Sequence, residues 1–416
     1  MIQSFYTGDS GLNANKYWLS VISDNIANVN TVGFKGERAT FEDLVSSSLT
    51  TFSNGSPKNV EIGGGAFMGS TVKDFQQGTF MNTSTPTDLA LDGEGFFMVD
   101  NDSGVRYYTR NGQFRTDANG DLINLNGLKV QGWTLDDNGN IAGALGKITV
   151  PSALDPQATT TISFEDPTNL NSTSPVITYP TTSGAAAFDP NDSTTFNYVN
   201  SMNIYDSLGN RHQLSYYFEK NGANSWDVHV YADDDLATQV GNTTLTFDSD
   251  GNLTGGSPMN ISVTLANGAT TPMTISTELD NIKQLASDFI FYSQQDGNAK
   301  GDLLDVTVSE DGTVKGSYTN GKVKDIARIG VATFKDKEML VRQGSSLYVP
   351  NQQVFTPVIT PGGVITKVRS GMLEMSNVDI SNEFINLITA QRAYQANART
   401  ITTSDEVLQE TMNIKR

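Results

Sequence analysis

The chain opens and closes on long amphipathic stretches, residues 1–33 and 376–416, while nearly everything between them reads as strand and turn. Helical ends around a β-rich middle must bury their apolar stripes, either on each other or on copies in other subunits. The pattern predicts a mainly β fold with a terminal α-helical coiled coil, its nested, discontinuous β domains carried on paired N- and C-terminal helices. Such a layout suits a subunit that polymerises through its ends better than it suits an enzyme.

The periodicity carries this expectation. In the first stretch Phe5, Leu12, Leu19 and Ile26 recur every seven residues, with Ile22 and Val29 on the intervening seam, which Gly8 and Asn15 break. In the last stretch Ile380, Phe384, Leu387, Tyr394, Ala398, Ile401, Leu408 and Met412 follow alternating steps of three and four, with Gln391 and Asp405 as polar exceptions. That spacing is the coiled-coil seam. Ser376-Asn377-Val378-Asp379 has the form of a capping box opening the second helix. Gly33 is placed to end the first helix, where a left-handed residue is needed. A second helix of about 35 residues would be roughly 50 Å long. An intramolecular hairpin of the two helices is the alternative to packing between subunits.

Charge is distributed to match. The net charge is −19, which makes the electrostatic term of phosphate-backbone binding repulsive and argues against nucleic acid. Residues 1–40 balance Asp9, Asp24 and Glu37 against Lys16, Lys35 and Arg38, and residues 376–416 carry a net −1, so the excess sits in the middle. Near-neutral ends pack densely without self-repulsion. There is no cysteine, hence no disulfide, thiolate nucleophile or cysteine metal site. No apolar run approaches the 18 or so residues of a transmembrane helix, and the N-terminus lacks the basic and apolar regions of a cleavable secretory signal. No direct membrane insertion is expected.

Residues 34–70 with 371–375 are expected to be a connector, with loop chemistry at Ser53-Asn54-Gly55-Ser56-Pro57 and Gly63-Gly64-Gly65. Glycine-rich stretches near 53–65 and 361–371 are candidate hinges. Strand runs such as Gly95-Phe96-Phe97-Met98-Val99 and Leu128-Lys129-Val130-Gln131-Gly132-Trp133 alternate with Asn111-Gly112, Asn119-Gly120, Asn126-Gly127 and Asn138-Gly139, strong hairpin signals. Residues 151–200, rich in Pro, Thr, Ser and Asn, mark a boundary. The expected organisation is a β domain at 71–150 plus 322–370, with an outer β domain, 151–321, inserted in it.

Several residues tempt a catalytic or metal reading. Asp233-Asp234-Asp235 and Asp248-Ser249-Asp250-Gly251-Asn252 lack the EF-hand register with its bidentate Glu, so surface turns are expected. His212 and His229 have no ligand cluster around them, and zinc needs three or four convergent ligands. No Gly-rich run sits in a strand–loop–helix phosphate cradle. No catalytic residue, cofactor or metal is expected.

Asp24-Asn25-Ile26-Ala27-Asn28-Val29-Asn30-Thr31-Val32-Gly33-Phe34-Lys35 closely resembles the N-terminal signature of the bacterial flagellar axial protein family, which comprises rod, hook and hook-associated proteins. Three further blocks resemble the family in order: Thr87 to Phe97, then Tyr108-Thr109-Arg110-Asn111-Gly112-Gln113-Phe114, then Leu373-Glu374-Met375-Ser376-Asn377-Val378-Asp379 with Ala390-Gln391-Arg392-Ala393-Tyr394-Gln395-Ala396-Asn397. The length and the insert, with Ile204 to Asn210 and Trp226, set it apart from the shorter rod members. The resemblance implies a self-assembling, tubular helical homopolymer outside the cell, a flexible joint that passes torque from rod to filament. It implies type III export without a cleaved signal. It also implies a rod protein, a hook cap, a hook–filament junction protein and the export apparatus as partners. Another axial component, such as a distal rod or junction protein, is the nearest alternative. A secreted β-rich glycan-binding protein or enzyme is the alternative of another class.

Overall fold

The computed structural model describes residues 2–53, 56–179, 188–233, 235–351 and 356–414. Of the loop and acidic runs singled out above, Asn54, Gly55 and Asp234 lie outside the described residues. The chain forms two compact units: Met1–Pro151 with Asp305–Ser317 and Val323–Arg416, and Ser152–Leu304 with Tyr318–Lys322. Residues 305–317, placed with the insert on sequence pattern, belong to the first unit because the strand Thr313–Tyr318 pairs with Val323–Thr333, Val314 opposite Ala327.

In the first unit, helix α1 spans Ile2–Ala27 and helix α2 spans Ile380–Ile414. The first helix ends six residues before Gly33. Asn28 Nδ2 donates to the Asp24 carbonyl at 2.9 Å and Thr31 Oγ1 donates to Asn28 Oδ1 at 3.1 Å, so side chains compete for the acceptors of the last turn. Gly33 does have a left-handed φ of 68°, but it turns the chain onto the β structure, donating its N–H to the Glu374 carbonyl at 2.7 Å. At α2 the cap is Asp379 rather than Ser376. Asp379 Oδ1 accepts from the Ser381 and Asn382 amides at 2.8 and 3.3 Å, and its charge also suits the positive helix end.

The expected connector is not irregular. Glu37–Asp43 pairs antiparallel with Ala66–Lys73, and Ser47–Ser53 pairs with Ser56–Ile62 beyond it. The first of these pairs lies along α1, with Trp18 edge-on to Phe41 at 5.7 Å. The hydrophobic alternation of that pair is weak because ladder hydrogen bonds and one helix face, rather than a two-sided core, hold it. The C-terminal stretch is tied down too. Lys367–Ser370 pairs with Leu89–Asp92, and Met372–Glu374 pairs with Phe80–Asn82.

The main sheet of this unit sets Lys129–Thr134, Phe96–Asp100, Arg106–Thr109, Leu347–Pro350 and Leu340–Gly344 side by side, with Val323–Thr333 against the first two. Its core is aromatic: Phe96 packs edge-on against Phe334 at 5.9 Å and Tyr348 at 5.8 Å, and Tyr108 against Phe334 at 4.8 Å.

The second unit is a five-stranded antiparallel meander, Tyr198–Tyr205, Arg211–Gly222, Ser225–Ala232, Asp235–Phe247 and Leu253–Gly255, with a four-stranded sheet of Met259–Val263, Met273–Glu278, Thr161–Phe164 and Ser293–Gln295. Residues from both sheets share one core around the fully buried Trp226, whose indole N–H donates to Gln284 Oε1 at 2.7 Å.

One turn recurs in both units. Asp117, Asn124, Asp136, Asp206 and Asp248 each open a five-residue turn with Gly fourth. In each, the side-chain oxygen accepts amides two and four residues on, at 2.8–3.0 Å. The left-handed glycine is what these hairpin loops need.

Candidate assembly site

The helices α1 and α2 pack on each other antiparallel. A Cβ built on Gly8 would meet Ile401 Cγ1 at 3.0 Å, one on Gly11 would meet Asn397 Nδ2 at 2.8 Å, and Asn25 Nδ2 donates to Glu383 Oε1 at 3.1 Å. Small residues therefore set the separation of the pair. Gly8, a break in the sequence seam, is a point of closest approach. Buried positions along the pair include Ala14, Ile22, Asn25 and Ala390.

The large seam residues are distributed unevenly. Ile22 is buried, Leu12, Leu19, Ile26, Val29, Leu387, Tyr394, Ala398, Ile401 and Leu408 are half-buried, and Phe5, Ile380, Phe384 and Met412 are exposed. Val29 lies past the end of α1. The contacts pair residues whose numbers sum to about 408, so α2 runs beyond the start of α1 and Met412 stays 73% exposed. Ile385 and Ile388, which the seam did not include, are 62% and 49% exposed.

Beneath the helices lies a buried ionic node that joins residues distant in sequence. Glu374 Oε1 accepts from Lys35 Nζ at 2.6 Å and from the Gly78 amide at 2.9 Å, while Oε2 accepts from Arg110 at 3.1 Å. The side chains of Lys35 and Glu374 are wholly buried, and that of Arg110 nearly so. Lys35 also donates to the Gln76 carbonyl at 2.6 Å, and Arg110 donates to the Gly93 carbonyl at 2.8 Å, with its guanidinium 5.4 Å from the Phe96 ring. Burial lowers the pKa of both cations, and the Glu374 carboxylate opposes that shift in each. Removing one member of such a group is costly because it strands a charge out of water. The node therefore fixes geometry: the N-terminal, 87–97, 108–114 and 373–379 blocks meet here.

The polar signature residues bind backbone. Asn25 receives the Glu37 amide at 2.9 Å and donates to the Glu37 carbonyl at 2.7 Å. Asn377 receives the Gly36 amide at 2.9 Å and donates to the Asp74 carbonyl at 2.8 Å. Asn28 and Thr31 close the turn after α1, Phe34 and Ser376 are buried, and Val378 is half-buried. Ala27, Asn30, Gln391 and Arg392 are exposed. Arg342 was not singled out in the sequence. It donates to Asp24 Oδ2 at 2.9 Å and to the Lys35 carbonyl at 3.1 Å, and it stacks 4.6 Å from the Phe34 ring. The roles of Lys35, Arg110 and Glu374 were equally invisible, because no spacing rule links positions so far apart.

The residues that tempted a metal reading have other work. Asp248 is spent on amides of its own turn. His212 lies between Asp206 and Asp233, and His229 stacks on Phe188 at 4.0 Å. Among the described residues no group of three or more His, Asp or Glu is placed to hold a metal ion.

Four family descriptions match successive stretches. They are "Flagella basal body rod protein" at 5–35, "Flagellar hook protein FlgE/F/G D1 domain" at 90–166, "Flagellar basal body protein FlaE D2 domain" at 169–298 and "Flagellar basal body rod FlgEFG protein C-terminal" at 369–414. The flagellar hook protein of Salmonella typhimurium is 34% identical, with 99% of this chain and 100% of the relative covered. That of Escherichia coli K12 is 33% identical over 99% and 100%, and that of Borreliella burgdorferi 31% over all of both chains. The crystal structure of the Helicobacter pylori hook protein FlgE2 shares the fold, with a TM-score of 0.52 and 16% identity across 71% of this chain and 100% of that one. Family membership makes the chain a structural protein and not an enzyme. With relatives matched end to end at 31–34% identity, the chain belongs to the flagellar hook protein family.

Proposed function

We propose that this chain polymerises with copies of itself into the tube of the flagellar hook, outside the cell, and that α1 and α2 form the inter-subunit contacts. The observation that carries the reading is the apolar surface left on a helix already paired on its other side: Phe384, Ile385 and Ile388 are each about half exposed or more. Large apolar side chains contribute about 1.5–3 kcal/mol each on full burial, and a neighbouring copy would remove these from water. The half-buried seam residues, from Leu12 to Ile26 and from Leu387 to Leu408, would complete that burial. The acidic middle of the chain would make hydrated contacts between copies that can be remade as the joint bends and transmits torque. Membership of the family supports export through the type III apparatus and contact with rod, cap and junction proteins.

The test is assembly of the purified full chain, followed by sedimentation and electron microscopy. Phe384→Ser/Ile385→Ser/Ile388→Ser, at exposed positions, should leave the helix signal intact and abolish tubes. A chain lacking residues 1–27 should also fail. If both variants assemble as the parent does, the helices are not the contact and the reading is wrong.

A further inference from the structure

The outward face of α2 is sorted by charge. Ile385, Arg392, Arg399 and Glu406 follow at seven-residue steps, with Ile388 and Glu410 on the same face, and all six are exposed. At 100° per residue they form one stripe with an apolar third, a basic third and an acidic third. Among the described residues neither arginine has a carboxylate partner. Within α2 the positions three and four away from each arginine hold no acid.

The acidic third is unfavourable in the lone chain. Glu406 and Glu410 stand four apart on one face, a like-charge pair that weakens a helix. They also lie near the C-terminal end, where the carbonyls carry partial negative charge, and no base stands in the last turn. Lys415 and Arg416 lie outside the described residues. Among the described residues the basic third of this helix lacks acids and its acidic third lacks bases, which makes it complementary to a displaced copy of itself.

We infer that α2 of a second copy docks parallel on this face, shifted so that its Arg392 and Arg399 lie beside Glu406 and Glu410 of the first. The inference rests on the assembly reading above and adds the register to it. Arg392 to Glu406 is fourteen residues and Arg399 to Glu410 eleven, which sets an axial stagger of about 16–21 Å. The contact is heterologous: each copy keeps a free basic third at one end and a free acidic third at the other, so growth continues. An antiparallel arrangement would pair the same charges but close on itself as a dimer.

Two full-length variants test this, Arg392→Glu/Arg399→Glu and Glu406→Arg/Glu410→Arg, with circular dichroism to verify the helix. Each alone should raise the concentration needed for assembly at low salt by about tenfold or more, equivalent to about 1.4 kcal/mol. An equimolar mixture should assemble into tubes, because every contact in an alternating polymer is again basic on acidic. The four-fold exchange in one chain should recover assembly to within about twofold on the same scale. Milder Arg392→Gln/Arg399→Gln should fall between parent and reversal. Normal assembly of either reversal, or failure of both the mixture and the four-fold exchange to recover, overturns the register. A mixture that stops at pairs overturns the parallel stagger. The serine variants above keep the two readings apart: if they fail while the reversals assemble normally, the helices remain the contact and only the register is lost.

Discussion

Glu374→Gln is the most informative single change for the first unit. The native node holds two cations, Lys35 and Arg110, and one carboxylate, all out of solvent. Glutamine keeps the shape and still accepts from the Gly78 amide or Lys35, but it leaves both cations without their bonded carboxylate, with only the weaker fields of Asp74 on Lys35 and Glu94 on Arg110. Breaking a buried pair costs about 3–5 kcal/mol, and with two cations stranded the upper part of that range applies. Lys35→Met, by contrast, leaves Arg110 and Glu374 as a matched pair and forfeits mainly hydrogen bonds to Glu374 and the Gln76 carbonyl, about 1–3 kcal/mol. The order of the two variants is thus fixed by charge bookkeeping rather than by volume. Thermal unfolding in a Trp226→Phe background lets Trp18 and Trp133, both in the first unit, report its transition separately. Glu374→Gln should lower that midpoint by roughly 6–20 °C, and Lys35→Met by less. A loss under about 1 kcal/mol for Glu374→Gln, or a larger loss for Lys35→Met, would refute the node as the anchor of the helix pair.

Other expectations concern single positions. Gly33→Ala places a side chain at φ 68°, with its Cβ 2.5 Å from the Asn111 nitrogen and 2.6 Å from the Arg110 carbonyl carbon. It should destabilise the first unit by at least about 1–3 kcal/mol in chemical denaturation, and a neutral result would mean the loop can move away. In the second unit, burial by itself lowers the His212 pKa, but hydrogen bonds to Asp233 and Asp206 outweigh it and the net shift is upward. Its contribution is therefore complete below about pH 6.5 and lost as pH rises through the raised folded value. Burial raises the Asp206 pKa, yet hydrogen bonds from Asn210, Asn267 and His212 hold it far below the usual carboxylate range, so its contribution is lost in acid. Urea midpoints read from Trp226 fluorescence should be highest between about pH 4 and 6.5. His212→Asn should flatten the decline above that window, and an unchanged decline would assign it to another group.

The local elements were legible because their causes are local. The Asx-Gly turns are examples: Gly120, Gly127 and Gly139 take left-handed φ of 78–80°, a conformation the adjoining Asp or Asn side chain stabilises within five residues. The strands within the expected connector, 34–70, leave little period-two signal because Glu37–Asp43 and Ala66–Lys73 bury little on either face. The helix cap lies three residues beyond the expected Ser376 because Ser376 and Asp379 are both competent caps, and the fold holds Ser376 within the last strand's approach to the helix.

Heptad spacing by itself determined that both ends are helical and carry more apolar surface than a lone helix can hide. It could not decide which flank of each helix meets the other. That choice belongs to Gly8 and Gly11, whose missing side chains permit a closer approach than Phe5 or Leu12 would allow, so the helices meet along the small residues and much of the apolar surface remains turned away. Nor could any spacing join Lys35 to Glu374, 339 residues apart. Only the tertiary structure, by taking the Lys35, Arg110 and Glu374 side chains out of water beside the buried Phe96, makes an unpaired cation there costly enough to demand that carboxylate.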